Sequence, residues 1–108
     1  MFGSPKTRDL TAQQVKAALD AQEIMLVDVR ELAEFEAERI PGAVNVPLST
    51  FDPKALPDAG ERAVVFSCGS GKRSATAVGH CQKAGHALDT HLTGGIMAWK
   101  AAGLPTVR

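Results

Sequence analysis

The residues best suited to chemistry lie together in Ser67-Cys68-Gly69-Ser70-Gly71-Lys72-Arg73-Ser74, directly after the apolar run Ala63-Val64-Val65-Phe66. A buried strand that runs into a glycine-rich turn and then a helix N-terminus forms a cradle for an anion. Gly69 and Gly71 allow backbone conformations that turn successive N–H groups inward, and the helix start adds unpaired N–H groups and the positive end of its dipole. A cysteine at the mouth of such a cradle, beside Lys72 and Arg73, is expected to ionise more readily than a free thiol, and the thiolate is the attacking species. The chemistry implied is nucleophilic attack by Cys68 on an anionic donor, with Gly69, Ser70, Gly71, Lys72 and Arg73 as the binding loop.

The other residues that could do chemistry have plainer readings. Cys81 falls on the apolar face of the following helix and is expected in the core. His80, His86 and His91 have neither metal-ligand spacing nor an evident pairing with Cys68, so surface or packing roles are expected. Asp28 and Arg30, at a strand end, read as a buried ion pair or loop fastener in preference to a site lining. Met97 and Trp99 read as core or pocket wall, and the glutamates of residues 31–38 as a solvated helix face. No metal or other cofactor is expected.

Positioning that loop requires a parallel sheet. Ile24-Met25-Leu26-Val27, ending at Asp28, and Ala63 to Phe66 are short continuous apolar runs, as in strands buried on both faces. Thr11 with Gln14 forms a capping box for a helix over residues 11–21, and residues 31–38 form a short acidic helix stopped by Ile40-Pro41-Gly42. A brief strand follows at 43–46, then a proline-containing connection to Gly60 with about one helical turn. Residues 73–84 form the helix behind the cysteine loop, with Gly85 as its C-cap. A weaker strand at 87–92 leads through Gly94-Gly95 into a last helix that ends near Gly103 and Pro105. Strands alternating with helices give an α/β fold, an open parallel sheet of about five strands with helices on both faces.

Composition narrows the remaining possibilities. A length of 108 residues fits a single domain over 1–108, and 44% apolar with 22% charged residues is ordinary for a globular chain. Twelve Lys plus Arg balance twelve Asp plus Glu, so neither nucleic acid nor a membrane surface is an expected partner. Two cysteines are too few for a disulfide framework. The opening Met1-Phe2-Gly3-Ser4-Pro5-Lys6 lacks the apolar core of a signal peptide and no apolar run reaches membrane-spanning length, so a cytoplasmic location is expected.

Five segments in order resemble the single-domain rhodanese (thiosulfate sulfurtransferase) family. The family's cysteine, two residues, glycine, one residue, arginine loop is matched by Cys68, Gly71 and Arg73. Asp28-Val29-Arg30-Glu31 and Arg39-Ile40-Pro41-Gly42-Ala43 resemble its strand-end and proline-glycine motifs. Leu92-Thr93-Gly94-Gly95-Ile96-Met97-Ala98-Trp99 and Gly103-Leu104-Pro105 are similar to its final helix and terminal turn. Arg39 stands where the family usually has histidine, and Cys81 and His86 where leucine and an aromatic residue are usual.

The resemblance implies a rhodanese-like fold and ping-pong sulfur transfer. Cys68 would take the outer sulfur of thiosulfate or a similar small sulfur donor as a persulfide, and pass it to cyanide or to a thiol, small or on a protein. Cys68-Gly69-Ser70-Gly71 is also similar to the loop opening of mercaptopyruvate sulfurtransferases, but Lys72 and Arg73 favour a dianion and hence thiosulfate. A persulfide carrier or regulatory module acting on a partner protein is the alternative. Cysteine-dependent phosphatases and arsenate reductases rank lower, because phosphatase loops are longer by a residue and this tighter ring suits a single sulfur atom better than a phosphate.

Overall fold

The computed structural model describes residues 6–108, so the reading of the first five residues lies outside what is described. Five strands, β1 (Arg8–Leu10), β2 (Ile24–Asp28), β3 (Val44–Asn45), β4 (Ala63–Ser67) and β5 (Thr90–Leu92), form one sheet in the order β1-β5-β4-β2-β3. Every pairing is parallel. Four helices accompany them: α1 (Ala12–Asp20), α2 (Leu32–Ala37), α3 (Lys72–Lys83) and α4 (Gly95–Ala101).

β2 and β4 are the central strands, and the alternation along β2 builds two cores. Ile24 and Leu26 pack with Val65, Leu92 and the α1 and α4 residues Ala12, Val15, Ile96 and Trp99. Met25 and Val27 face the other way, into Phe66, Cys68 and the α3 residues Ala77, Val78 and Cys81. Period-two alternation buried on both faces explains why this strand reads as an unbroken apolar run. Trp99 is buried and its indole N–H donates to the Pro105 carbonyl at 2.8 Å, which fastens the terminal turn to the first core. Cys81 is fully buried, as expected of a core thiol.

Several boundaries and one element differ from the sequence reading. β1 lies in what reads as a polar lead; it is a short, largely exposed edge strand, and edge strands carry no apolar run to announce them. β5 is confined to Thr90–Leu92, and the connection after β3 holds two 3-10 turns, Leu48–Thr50 and Pro53–Ala55, in place of one. The Thr11–Gln14 capping box is formed in both directions, at 2.8 and 3.2 Å. Arg39 lies 5.5 Å from the Phe35 ring centroid and pairs through its backbone with Val107, a packing role. With all strands parallel, Asp28, Ser67 and Leu92 end on the same edge of the sheet, and the loops that follow them converge there.

Candidate active site

β4 hands the chain to Cys68 at that edge, and the turn Gly69–Gly71 folds back over the sulfur. Cys68 is fully buried, yet it lies among hydrogen-bond donors. The Gly71 N–H points at its Sγ from 3.0 Å, and the Ser74 Oγ lies 3.6 Å away. Burial pushes the thiol up, but the Ser74 N–H and hydroxyl together with the Gly71 and Ser70 N–H groups outweigh it, and the net direction is below the ordinary value of 9.0. Cys81 shows burial acting alone: its thiol is pushed up. The two cysteines are thus separated by their donors, since both are fully buried.

Two reasons given for this loop from sequence need correction. Gly71 is the left-handed position, with φ of 103°, but Gly69 does not adopt a positive φ. Its lack of a side chain serves space instead, because a Cβ there would stand 3.2 Å from the Arg73 guanidinium. The cations also act differently from expectation. Arg73 is held by a bidentate pair with Glu34 of α2, at 2.7 and 3.1 Å, so its charge is locally matched, while Lys72 stays exposed. The guanidinium holds the Glu34 carboxyl below its ordinary value and is itself raised in return. The leading groups that lower Cys68 are neutral donors, with a lesser attraction between its thiolate and the Arg73 guanidinium. Glu34, expected on a solvated face, fastens α2 to the loop.

α4 braces the loop from beneath. The Ile96 and Met97 N–H groups donate to the Cys68 and Gly69 carbonyls at 2.9 and 3.1 Å. This approach leaves no room at Gly95, where a Cβ would fall 2.3 Å from the Cys68 carbonyl oxygen. The double glycine is therefore a contact requirement as well as a turn. Met97, expected in core or pocket wall, instead projects outward with 66% of its surface exposed. Leu32, at the start of α2, is exposed as well. Asp28 and Arg30 form the buried pair expected, with Nε and Nη2 contacts of 2.8 to 3.1 Å, and Arg30 also donates to the Glu38 carbonyl at 2.6 Å. Asn45 holds the carbonyls of both residues, so the group fixes the β2–α2 loop without touching the sulfur.

The sequence reading missed Ser74 as a partner of the sulfur and the contacts that join His91 and Asp9 to Ser74. His91 is buried, its Nδ1 2.7 Å from the Ser74 Oγ and its Nε2 3.0 Å from Asp9. His91 has the buried packing role expected and no direct contact with Cys68, but it touches Ser74, which does. The signal lay in strand register, since Asp9 of β1 stands opposite His91 of β5, which stands opposite Phe66 of β4. His80 is exposed, as expected. Among the described residues no group of His, Cys, Asp and Glu could hold a metal ion, and no helix is long and apolar enough to cross a membrane.

Comparison with known proteins agrees with this fold. A sulfurtransferase of Allochromatium vinosum is 35% identical over 88 residues, covering 82% of each chain. An uncharacterised protein of Synechocystis is 44% identical over 97% of this chain, which spans 55% of that relative's length. The crystal structure of a rhodanese-related protein from Thermoplasma volcanium superposes with a TM-score of 0.77 at 27% identity, over 93% of this chain and 97% of that one. The Rhodanese-like domain family matches residues 11–102, from the cap of α1 to the end of α4, and the chain belongs to that family.

Proposed function

We propose that the protein is a sulfurtransferase that carries sulfane sulfur on Cys68, within a single domain over 1–108. The observation that carries this reading is the Gly71 N–H held 3.0 Å from the Cys68 Sγ inside a ring with only four residues between cysteine and arginine. Such a ring cradles one anionic sulfur atom and leaves little room for a tetrahedral phosphate. The Cys68 thiolate attacks the outer sulfur of thiosulfate, the sulfur–sulfur bond of the donor breaks, and sulfite leaves with the electron pair. The loop N–H groups of Gly69 to Arg73 hold the resulting persulfide anion, and the transition state gains from donors already aimed at the sulfur. Cyanide or a thiol then attacks the terminal sulfur and the thiolate returns.

Thiosulfate is the donor we favour, on exposed Lys72 at the rim and a loop lined by N–H groups. The pairing of Arg73 with Glu34 reduces the weight of the second cation, so 3-mercaptopyruvate is the donor to compare. A cytoplasmic setting fits this chemistry. The test is thiocyanate formation from cyanide with each donor in turn. Turnover with thiosulfate exceeding that with mercaptopyruvate supports the assignment, and the reverse order overturns the choice of donor. A second reading, persulfide delivery to a partner protein, is favoured by Leu32 and Met97. They are 55% and 66% exposed and belong to the two helices that bond to the cysteine loop. Rapid loading of Cys68 with negligible turnover to cyanide supports that reading.

A further inference from the structure

Behind the sulfur runs a continuous chain of polar contacts that the proposed transfer does not use. The Cys68 Sγ is 3.6 Å from the Ser74 Oγ, which is 2.7 Å from the His91 Nδ1, and the His91 Nε2 is 3.0 Å from the Asp9 Oδ1. Cys68, Ser74 and His91 are all buried, and Asp9 sits at the partly exposed end, where it also accepts from the Thr7 hydroxyl at 2.7 Å. We propose that His91, oriented by Asp9, is a positioning residue that receives the Cys68 proton through Ser74.

Donor and acceptor counting gives the direction. A carboxylate only accepts, so the neutral imidazole places its proton on Nε2 toward Asp9, and Nδ1 is left as an acceptor. The Ser74 hydroxyl has one proton and faces the His91 Nδ1, the Gly71 carbonyl at 3.1 Å and the sulfur. With His91 neutral, that proton goes to Nδ1 and the thiol S–H is donated to Ser74. Transfer breaks the S–H bond as Ser74 takes that proton, and breaks the original Ser74 O–H bond as its proton passes to Nδ1. The products are a thiolate and an imidazolium. Nδ1–H now donates to the Ser74 Oγ, whose own proton is free to point at the sulfur. No oxidant, reductant or other reactant is needed.

The imidazole's surroundings are apolar or neutral apart from the Asp9 carboxylate. β1 contributes that carboxylate, β4 contributes apolar Phe66 in register, α3 contributes the Ser74 hydroxyl, and Gly71 of the loop faces the ring without a side chain. Among the described contacts of His91, Asp9 is the charged partner, and Cys68 is the titratable group reached through Ser74. In this relay the thiolate and the imidazolium form together, linked through the Ser74 hydroxyl.

The inference rests on Cys68 being the reacting group, but its test needs no sulfur donor. The measurement is the pH dependence of Cys68 alkylation by iodoacetamide in the intact chain, for wild type, His91→Asn, Ser74→Ala and the double variant. Asparagine keeps a polar atom near the Nδ1 position but cannot take a proton. His91→Asn should move the thiolate midpoint up by about one pH unit, roughly a tenfold loss of alkylation rate below the midpoint. Ser74→Ala should shift it in the same sense, and the double variant should add little to either, because both act on one chain. A His91→Asn profile superimposable on wild type, or fully additive shifts, overturns the proposal. If His91→Asn does not fold, the imidazole titration followed by nuclear magnetic resonance in wild type and Cys68→Ala decides. A lower His91 midpoint in Cys68→Ala supports the relay, and an unchanged one overturns it. Failure to load sulfur while these shifts are present counts against the sulfurtransferase reading alone.

Discussion

Replacing a single atom separates the two thiols. In Cys81→Ser a hydroxyl replaces a thiol in a fully buried apolar cluster, which costs about 1–3 kcal/mol of stability and leaves sulfur transfer largely intact. A substantial loss of transfer in a folded Cys81→Ser would make Cys81 a participant. Arg73 gives a second residue-scale prediction. Its pair with Glu34 is more than a third exposed on both sides, so breaking it removes at most about 1 kcal/mol. Arg73→Ala should therefore leave the unfolding midpoint nearly in place while raising the donor concentration needed for half-maximal rate. A variant that loses stability without changing its donor requirement would make the pair a structural clamp only.

At the scale of elements, the cysteine loop is as well placed as α4 allows it to be. Gly95 has a φ of 57° and its Cβ would collide with the Cys68 and Gly69 backbone, whereas Gly103, with a φ of 75°, has open space around it. Alanine at either position bears the left-handed cost of roughly 1–2 kcal/mol. Only Gly95→Ala must also push α4 away from the loop. Chemical denaturation should show the larger loss for Gly95→Ala, accompanied by slower Cys68 alkylation, and equal effects in the two variants would deny α4 its bracing role. The central strands and this loop were legible in the sequence because apolar runs, glycines and caps are local signals. β1 was not, since an exposed edge strand of three residues has no pattern of its own. With β1 unseen, Asp9 could not be brought to His91 across a separation of 82 residues, and His91 could not be joined to Ser74. Glu34 is on an exposed face as expected, but its pair was not legible for a similar reason: its partner Arg73 lies 39 residues away, and helix periodicity carries no information about such a pair.

Across the whole molecule the C-terminal segment is tied back to the turn after α2 through Glu38. Its carboxylate takes Lys100 at 2.8 Å and Thr106 at 2.6 Å, with Arg108 at 3.7 Å. These partners, Lys100 foremost, lower its pKa from the ordinary 4.5 to about 2. A carboxyl whose folded value lies below its unfolded value contributes stability that is fully present above the unfolded value and lost as pH falls through the folded one. The contribution of Glu38 should therefore be complete at neutral pH and fade between about 4.5 and about 2. Urea unfolding should show Glu38→Gln less stable than wild type at pH 7, with the gap closing toward pH 2; a constant gap would assign the loss to packing. Persulfide formation on Cys68 is the central claim, and it is tested most directly by the intact-protein mass of wild type and Cys68→Ser after brief exposure to thiosulfate, with and without reductant. We expect wild type to gain the mass of one sulfur atom, removable by reductant, and Cys68→Ser to gain none; no gain in wild type with either thiosulfate or 3-mercaptopyruvate, or an equal gain in the variant, would contradict it.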